Sequence, residues 1–135
     1  MKRIPFILCF SLLFAIISCE VKTDDAEKAY EYWSGEKPDK DLKIQYAKYW
    51  RSPHWSYEYK FYLKFKPSEL WWDEFIKKNN LKKDMKNTSE LQDIPAWFHP
   101  KKTCIQYRSK EDFDQGSRYY RDSLDGQCFI YEVQL

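Results

Sequence analysis

Three patterns predict that the chain folds as an α+β domain, in which an antiparallel sheet of about four strands carries one amphipathic helix on one face. Apolar and polar residues alternate from Trp55 to Phe65, as is typical of a strand with one buried face. An apolar stripe at helical spacing follows over residues 69–79, and the C-terminal third returns to strand-like segments. We expect this single domain to span residues 42–135.

The N-terminal residues have the three zones of a secretory signal. Two basic residues precede an apolar run over residues 4–17, and a small residue, Ser18, then precedes Cys19. The run has about 14 residues, whereas a helix that spans a bilayer needs roughly 18 to 20. Residues 1–18 are therefore predicted to be a signal peptide.

The stretch Ile16-Ile17-Ser18-Cys19 resembles the lipobox of bacterial lipoproteins, which has an aliphatic, a tolerant and a small residue before an obligatory cysteine. The resemblance implies that the Cys19 thiol carries diacylglycerol, that the signal is cut just before it, and that the new N-terminus is acylated. Two or three acyl chains would anchor the chain stably, at about 0.8 kcal/mol for each buried methylene. We expect a lipid-anchored protein of the bacterial cell envelope whose membrane contact is the lipid on Cys19.

The residue that follows Cys19 indicates in which membrane the protein is expected to be anchored. Many Gram-negative lipoproteins kept at the inner membrane carry Asp there, and this chain carries Glu20. By that analogy the outer membrane is favoured if the source is Gram-negative. The resemblance to small bacterial lipoproteins implies location and no activity.

The charge balance argues against nucleic acid as a partner. The sequence has 23 Lys and Arg and 21 Asp and Glu, and Lys2 and Arg3 leave with the signal, so the mature chain has a formal net charge of zero. General nucleic-acid binders need a basic excess to neutralise phosphates. We therefore expect no nucleic-acid partner.

Residues 19–41 are predicted to be the lipidated N-terminus and a flexible tether. This stretch is rich in charge and poor in aliphatic side chains, a composition that buries too little apolar area to order itself. A short helix over residues 24–33 that ends at Gly35 is the alternative for part of it, because apolar residues recur there at helical spacing.

The first half of the domain contains one ambiguous segment and two clear ones. Residues 42–53 fit either a strand or a helix and should end before Pro53. Only Tyr62 breaks the alternation of the strand that follows. Ser68 is a suitable N-cap for the amphipathic helix over residues 69–79.

The second half is predicted to end in antiparallel strands. Two of them are joined by a turn that contains Asp125 and Gly126, a pair that favours hairpins. The predicted strands are Thr103–Arg108, Ser117–Asp122 and Gln127–Gln134.

The number of cysteines left in the mature chain predicts one disulfide. Cys9 leaves with the signal and Cys19 is lipidated, so Cys104 and Cys128 are the remaining thiols. Exported proteins fold under oxidising conditions. A bond between the two would close a loop of about 24 residues and contribute about 3 kcal/mol. The alternative is two unpaired buried thiols on neighbouring strands.

An aromatic segment between Pro95 and Pro100 is the candidate binding surface. Two prolines exclude regular structure there, so its aromatic rings either plug the core or face a ligand. We expect a plug, because aromatic rings bury large areas. The alternative is a binding surface made of Trp97, Phe98 and His99.

The sequence does not predict an active site. His54 and His99 are 45 positions apart, and neither has an acid or a cysteine at metal-ligand spacing. The chain has three glycines and no phosphate-binding loop, so we expect no metal and no cofactor.

Three functions remain open. The leading hypothesis is a lipid-anchored, non-catalytic envelope protein that acts through contacts with a protein partner. The second is a small-ligand or glycan-binding module that uses exposed aromatic residues. The third is an enzyme with a site at His54 or His99.

Overall fold

The computed structural model describes residues 19–86, 91, 93–111 and 113–135. The predicted signal peptide over residues 1–18 lies outside the described residues. The described part forms one antiparallel sheet of seven strands with two helices, which confirms the α+β class and corrects the expected four strands and one helix. No helix in this part is long and apolar enough to cross a membrane.

The strands lie in the order β1-β2-β3-β7-β6-β5-β4, so the last strand returns to the middle of the sheet beside β3. All neighbouring strands are antiparallel. The elements are β1 (Val21–Thr23), α1 (Ala26–Ser34), β2 (Lys43–Arg51), β3 (Tyr59–Lys66), α2 (Glu69–Lys78), β4 (Leu81–Lys83), β5 (Cys104–Ser109), β6 (Arg118–Asp122) and β7 (Cys128–Gln134).

The segment predicted to be a flexible tether belongs to the folded domain instead. β1 pairs with β2, and α1 buries Ala29 and Tyr30 against the sheet. The Asp25 side chain accepts a hydrogen bond from the Lys28 amide at 3.0 Å, and Gly35 ends the helix in a left-handed conformation. The alternative of a short helix is thus confirmed. Composition misled here because the many charges of α1 lie on its solvent face.

The strand predicted from Trp55 begins later, at Tyr59. Residues 52–58 form a loop between β2 and β3, in which Tyr57 has a positive φ of 47°. The ambiguous segment before this loop is the strand β2, which ends before Pro53 as expected.

Both faces of the central sheet are buried. The face covered by α1 and α2, here called the helix face, buries Phe61, Leu63 and Ile130. The opposite face, here called the plug face, buries Tyr62 beneath Phe98. On the plug face of β3, Tyr62 breaks the alternation because Phe98 covers it, whereas Lys60 and Lys64 are partly buried and Lys66 is exposed.

The C-terminal strands and α2 start and end within about two residues of their predicted ends, whereas β1 and β4 were not predicted. The Ser68 side chain caps α2 by accepting a hydrogen bond from the Trp71 amide at 3.2 Å, and Trp72 is buried. The turn between β6 and β7 places Gly126 at a φ of 72°. Three-residue strands such as β4 are too short to show an alternating pattern.

Replacement of the plug should destabilise the fold. Phe98 is 0% exposed and makes edge contacts with Tyr62, Tyr120 and Phe129. We expect Phe98→Ala to lower the free energy of unfolding in urea by about 3 to 5 kcal/mol, because it leaves a cavity between these rings. The control His99→Ala removes an exposed neighbour and should change the same quantity by less than about 0.5 kcal/mol. Equal effects for the two variants would contradict the plug.

Candidate ligand-binding cleft

The structure does not bring Trp97, Phe98 and His99 together as one binding surface. Phe98 is the buried plug, which confirms the expectation for this segment. Trp97 is half-buried and its ring stacks on Tyr46 with 5.4 Å between centroids. His99 is exposed.

The predicted disulfide is absent, because Cys104 and Cys128 are both free thiols. The strand β6 lies between their strands, so two strand spacings of about 4.8 Å separate them, whereas bridged cysteines have Cα atoms within about 7 Å. They also lie on opposite faces of the sheet. Burial raises the pKa of the Cys104 thiol and raises that of Cys128 to about 12.

The two histidines do not form a site in the described part of the chain. His54 is exposed in the loop between β2 and β3, and His99 is exposed after the plug. Neither imidazole has a carboxylate oxygen within 4.0 Å among the described residues. In the same part, no group of three or more histidine, cysteine or acidic side chains could hold a metal ion.

A cleft lies on the helix face between α1 and α2 and has a volume of about 520 Å³. This volume is in the range of small-molecule sites. Its aromatic walls are packed on other rings, because Trp33 stacks on Phe61 at 4.7 Å and Trp71 stacks at 5.2 Å on Phe75, which also lines the cleft. The cleft is also lined by Tyr30, Ser34, Glu36, Lys37, Asp39, Glu74, Lys78, Asn79 and Glu132.

A carboxylate on β7 forms part of the cleft lining. Glu132 accepts a hydrogen bond from the Tyr59 hydroxyl on one oxygen and one from the Tyr119 hydroxyl, at 3.0 Å, on the other. The tyrosines come from β3 and β6, the two neighbours of β7, so Glu132 is held from both sides. A second cavity of about 390 Å³ also reaches Glu132, from the C-terminal end of α2.

Tyr59 and Tyr119 act as hydrogen-bond donors to Glu132. Burial and then the negative charge of Glu132 raise the pKa of both Tyr59 and Tyr119, so their hydroxyls stay protonated at physiological pH. An ionised carboxylate has about four acceptor positions, and two of those on Glu132 are filled by these hydroxyls. Among the described residues, no Lys, Arg or His nitrogen lies within 4.0 Å of this carboxylate.

The lining of the cleft is acidic overall. Four carboxylates face two lysine ammonium groups, and Glu132 is the one hydrogen-bonded by the two tyrosines. Burial, followed by the charges of Asp39 and Glu36, raises the pKa of Tyr30 in the cleft wall. A cleft of this charge attracts cations.

The sequence analysis did not identify Tyr59, Tyr119 or Glu132. The sequence does contain a pattern that points to Glu132, because this residue is the single acid in the apolar run from Phe129 to Val133. Alternation places it on the same face as Ile130, toward the helices. An acid on the buried side of a strand is a candidate for function.

Comparisons with models of protein families, with curated proteins and with solved structures find no match to this chain.

Proposed function

We propose that this chain is a lipid-anchored envelope domain that binds, in the cleft between α1 and α2, a small molecule with an ammonium group beside a flat apolar part. One observation carries the proposal. Glu132 has two tyrosine donors and no cationic partner among the described residues, in a cleft of ligand size.

The charge of the ligand follows from the desolvation of Glu132. A partly buried carboxylate is costly unless hydrogen bonds and an opposite charge compensate it. The hydroxyls of Tyr59 and Tyr119 supply two neutral hydrogen bonds. A ligand ammonium supplies the missing positive charge and fills the remaining acceptor positions.

The aromatic walls account for the rest of the ligand. Trp33 and Trp71 present rings whose positions are fixed by stacking on Phe61 and Phe75. Rigid rings bind flat apolar groups and also attract cations at their faces. The acids in the cleft add a longer-range attraction for a cationic ligand.

The proposed function keeps the second hypothesis from the sequence, a small-ligand-binding module, and assigns it a different site. The binding surface lies at the α1–α2 cleft rather than at Trp97, Phe98 and His99. Contact with a protein partner stays a prediction, and a protein could enter this cleft by a lysine or arginine side chain. The proposal assigns no reaction to the cleft.

Anchoring at Cys19 is part of the proposal. Cys19 is exposed and lies two positions before Val21, the first residue of β1, so a lipid on its sulfur would not have to pass through the fold. The outer membrane is the proposed location if the source is Gram-negative, since Glu20 follows the cysteine.

Loss of the Cys19 thiol should abolish lipidation. In the native bacterium we expect Cys19→Ser to accumulate with its signal uncut and without incorporated fatty acid, because serine cannot form the thioether. Metabolic labelling with a fatty acid and the apparent mass of the protein measure this. Normal processing and unchanged labelling of the variant would show that the anchor is not on Cys19.

Binding should depend on Glu132 and on the charge of the ligand. We expect tryptamine and phenethylamine to shift amide resonances of α1 and α2 in the wild-type domain. Glu132→Gln should weaken this binding about tenfold or more, because it replaces a charged hydrogen bond by a neutral one. The affinity is measured by titration with each amine.

Two controls distinguish the effect of charge on ligand binding from the effect of ligand shape. Glu31→Gln changes an exposed acid of α1 that does not line the cleft, and it should bind like the wild type. The corresponding alcohols, tryptophol and phenethyl alcohol, keep the ring and lack the charge, so they should not bind. Equal binding of alcohols and amines, or an unchanged affinity in Glu132→Gln, would refute the proposed ligand class.

A further inference from the structure

One end of the sheet carries both Cys19 and an exposed aromatic loop. Val21 pairs with Arg51 at the last rung of the antiparallel β1–β2 ladder. From that rung the chain leads back to Cys19 on one strand and forward to the loop of residues 52–58 on the other. The Trp50 indole donates a hydrogen bond to the Glu20 side chain, which ties the residue next to Cys19 to β2.

The C-terminus and a second loop lie at the same end. Tyr59 pairs with both Arg51 and Gln134, so the chain ends beside the start of β3. The Leu135 amide donates a hydrogen bond of 2.9 Å to the Gln115 side chain, which belongs to the loop that precedes β6.

These segments expose four large apolar side chains, here called the anchor-end rim. Trp55 is 96% exposed, Tyr57 66%, Phe113 77% and Leu135 71%. Trp55 therefore buries almost no area in the domain itself. Four such side chains at one end of the sheet are candidates for contact with another apolar phase or protein.

We propose that the anchor-end rim lies in the headgroup layer of the membrane to which the chain is attached at Cys19. Tryptophan and tyrosine favour this layer, because their rings are apolar and carry one polar group. The inference rests on the membrane attachment in the proposed function and is independent of the ligand.

The choice of a membrane as the occupant follows from the chain itself. The apolar run over residues 4–17 ends two positions before Cys19, so an acyl group on Cys19 and an uncut apolar run attach the domain at nearly the same place. Only Glu20 separates Cys19 from Val21, so the two residues are at most about 7 Å apart. The end of the sheet that bears Cys19 is therefore held at the bilayer surface.

A second contact would fix the orientation of the domain. A lipid on one residue leaves the domain free to rotate, whereas the rim segments are spread from the β1–β2 edge to the β5–β6 loop. With the rim on the bilayer, the strands lead away from the membrane. The second cavity, which Phe113 and Gln134 line, then lies close to the lipid surface.

Quenching of tryptophan fluorescence by brominated lipid tests the rim. The full chain is reconstituted in phosphatidylcholine and phosphatidylglycerol vesicles, with and without bromine on the acyl chains close to the headgroup. We expect the bromine-dependent loss of fluorescence in the wild type to fall by about half or more in Trp55→Ser, because Trp55 would be the ring closest to the bilayer. Trp55 is almost fully exposed, so its replacement leaves the core intact.

A second rim variant and a matched control sharpen the test. Phe113→Ser keeps all six tryptophans and should also reduce quenching. Leu124→Ser removes an equally exposed side chain in the β6–β7 turn, at the far end of β7 from the rim, and should quench like the wild type. Unchanged quenching in Trp55→Ser would overturn the proposal.

Other results have distinct meanings. If the rim instead binds a second copy of this chain, Trp55 is unaffected by bromine and vesicle-bound chains of the variant Tyr57→Cys cross-link, which also overturns the proposal. Failure of the lipid on Cys19 appears separately, as normal fatty-acid labelling of Cys19→Ser. Failure of the ligand appears as unchanged amine binding in Glu132→Gln.

Discussion

The hydrogen-bonded group of Tyr59, Glu132 and Tyr119 is the constraint on which the proposed binding site depends. It joins side chains of β3, β7 and β6, the three strands at which the two halves of the sheet meet. The half-buried carboxylate accepts hydrogen bonds from two hydroxyls, and burial keeps those hydroxyls protonated. Glu132 also lines the cleft between α1 and α2, so the group forms part of the proposed site.

The cleft and the anchor-end rim give the domain two surfaces with different chemistry. The cleft is acidic and has aromatic walls, whereas the rim consists of apolar side chains that are 66% to 96% exposed. Under the proposals above, the rim fixes the domain on the bilayer and the cleft opens on the helix face, which runs along the strands away from the lipid. A ligand would then reach Glu132 from the aqueous side of the membrane.

Sequence patterns predicted the elements whose signals are local. The cap at Ser68 and the apolar stripe after it predicted α2, and Asp125-Gly126 predicted the last turn. The prediction of a disulfide was wrong, because a sequence does not show which strand lies between the strands that carry the two cysteines. The tether was wrong because overall composition does not separate the buried face of α1 from its charged face. The candidate site was missed because it joins three strands that are distant in sequence, although the acid in the apolar run of β7 was visible.

The central claim is that Glu132 is kept for a ligand rather than for the fold, and stability measures this most directly. In the triple variant Tyr59→Phe, Tyr119→Phe, Glu132→Leu, the whole polar group becomes apolar and no partner is left unsatisfied. We predict that its free energy of unfolding in urea equals or exceeds that of the wild type, because removing a buried polar group together with its partners is neutral or stabilising. A loss of about 3 kcal/mol or more would show that the group serves the fold and would contradict the account.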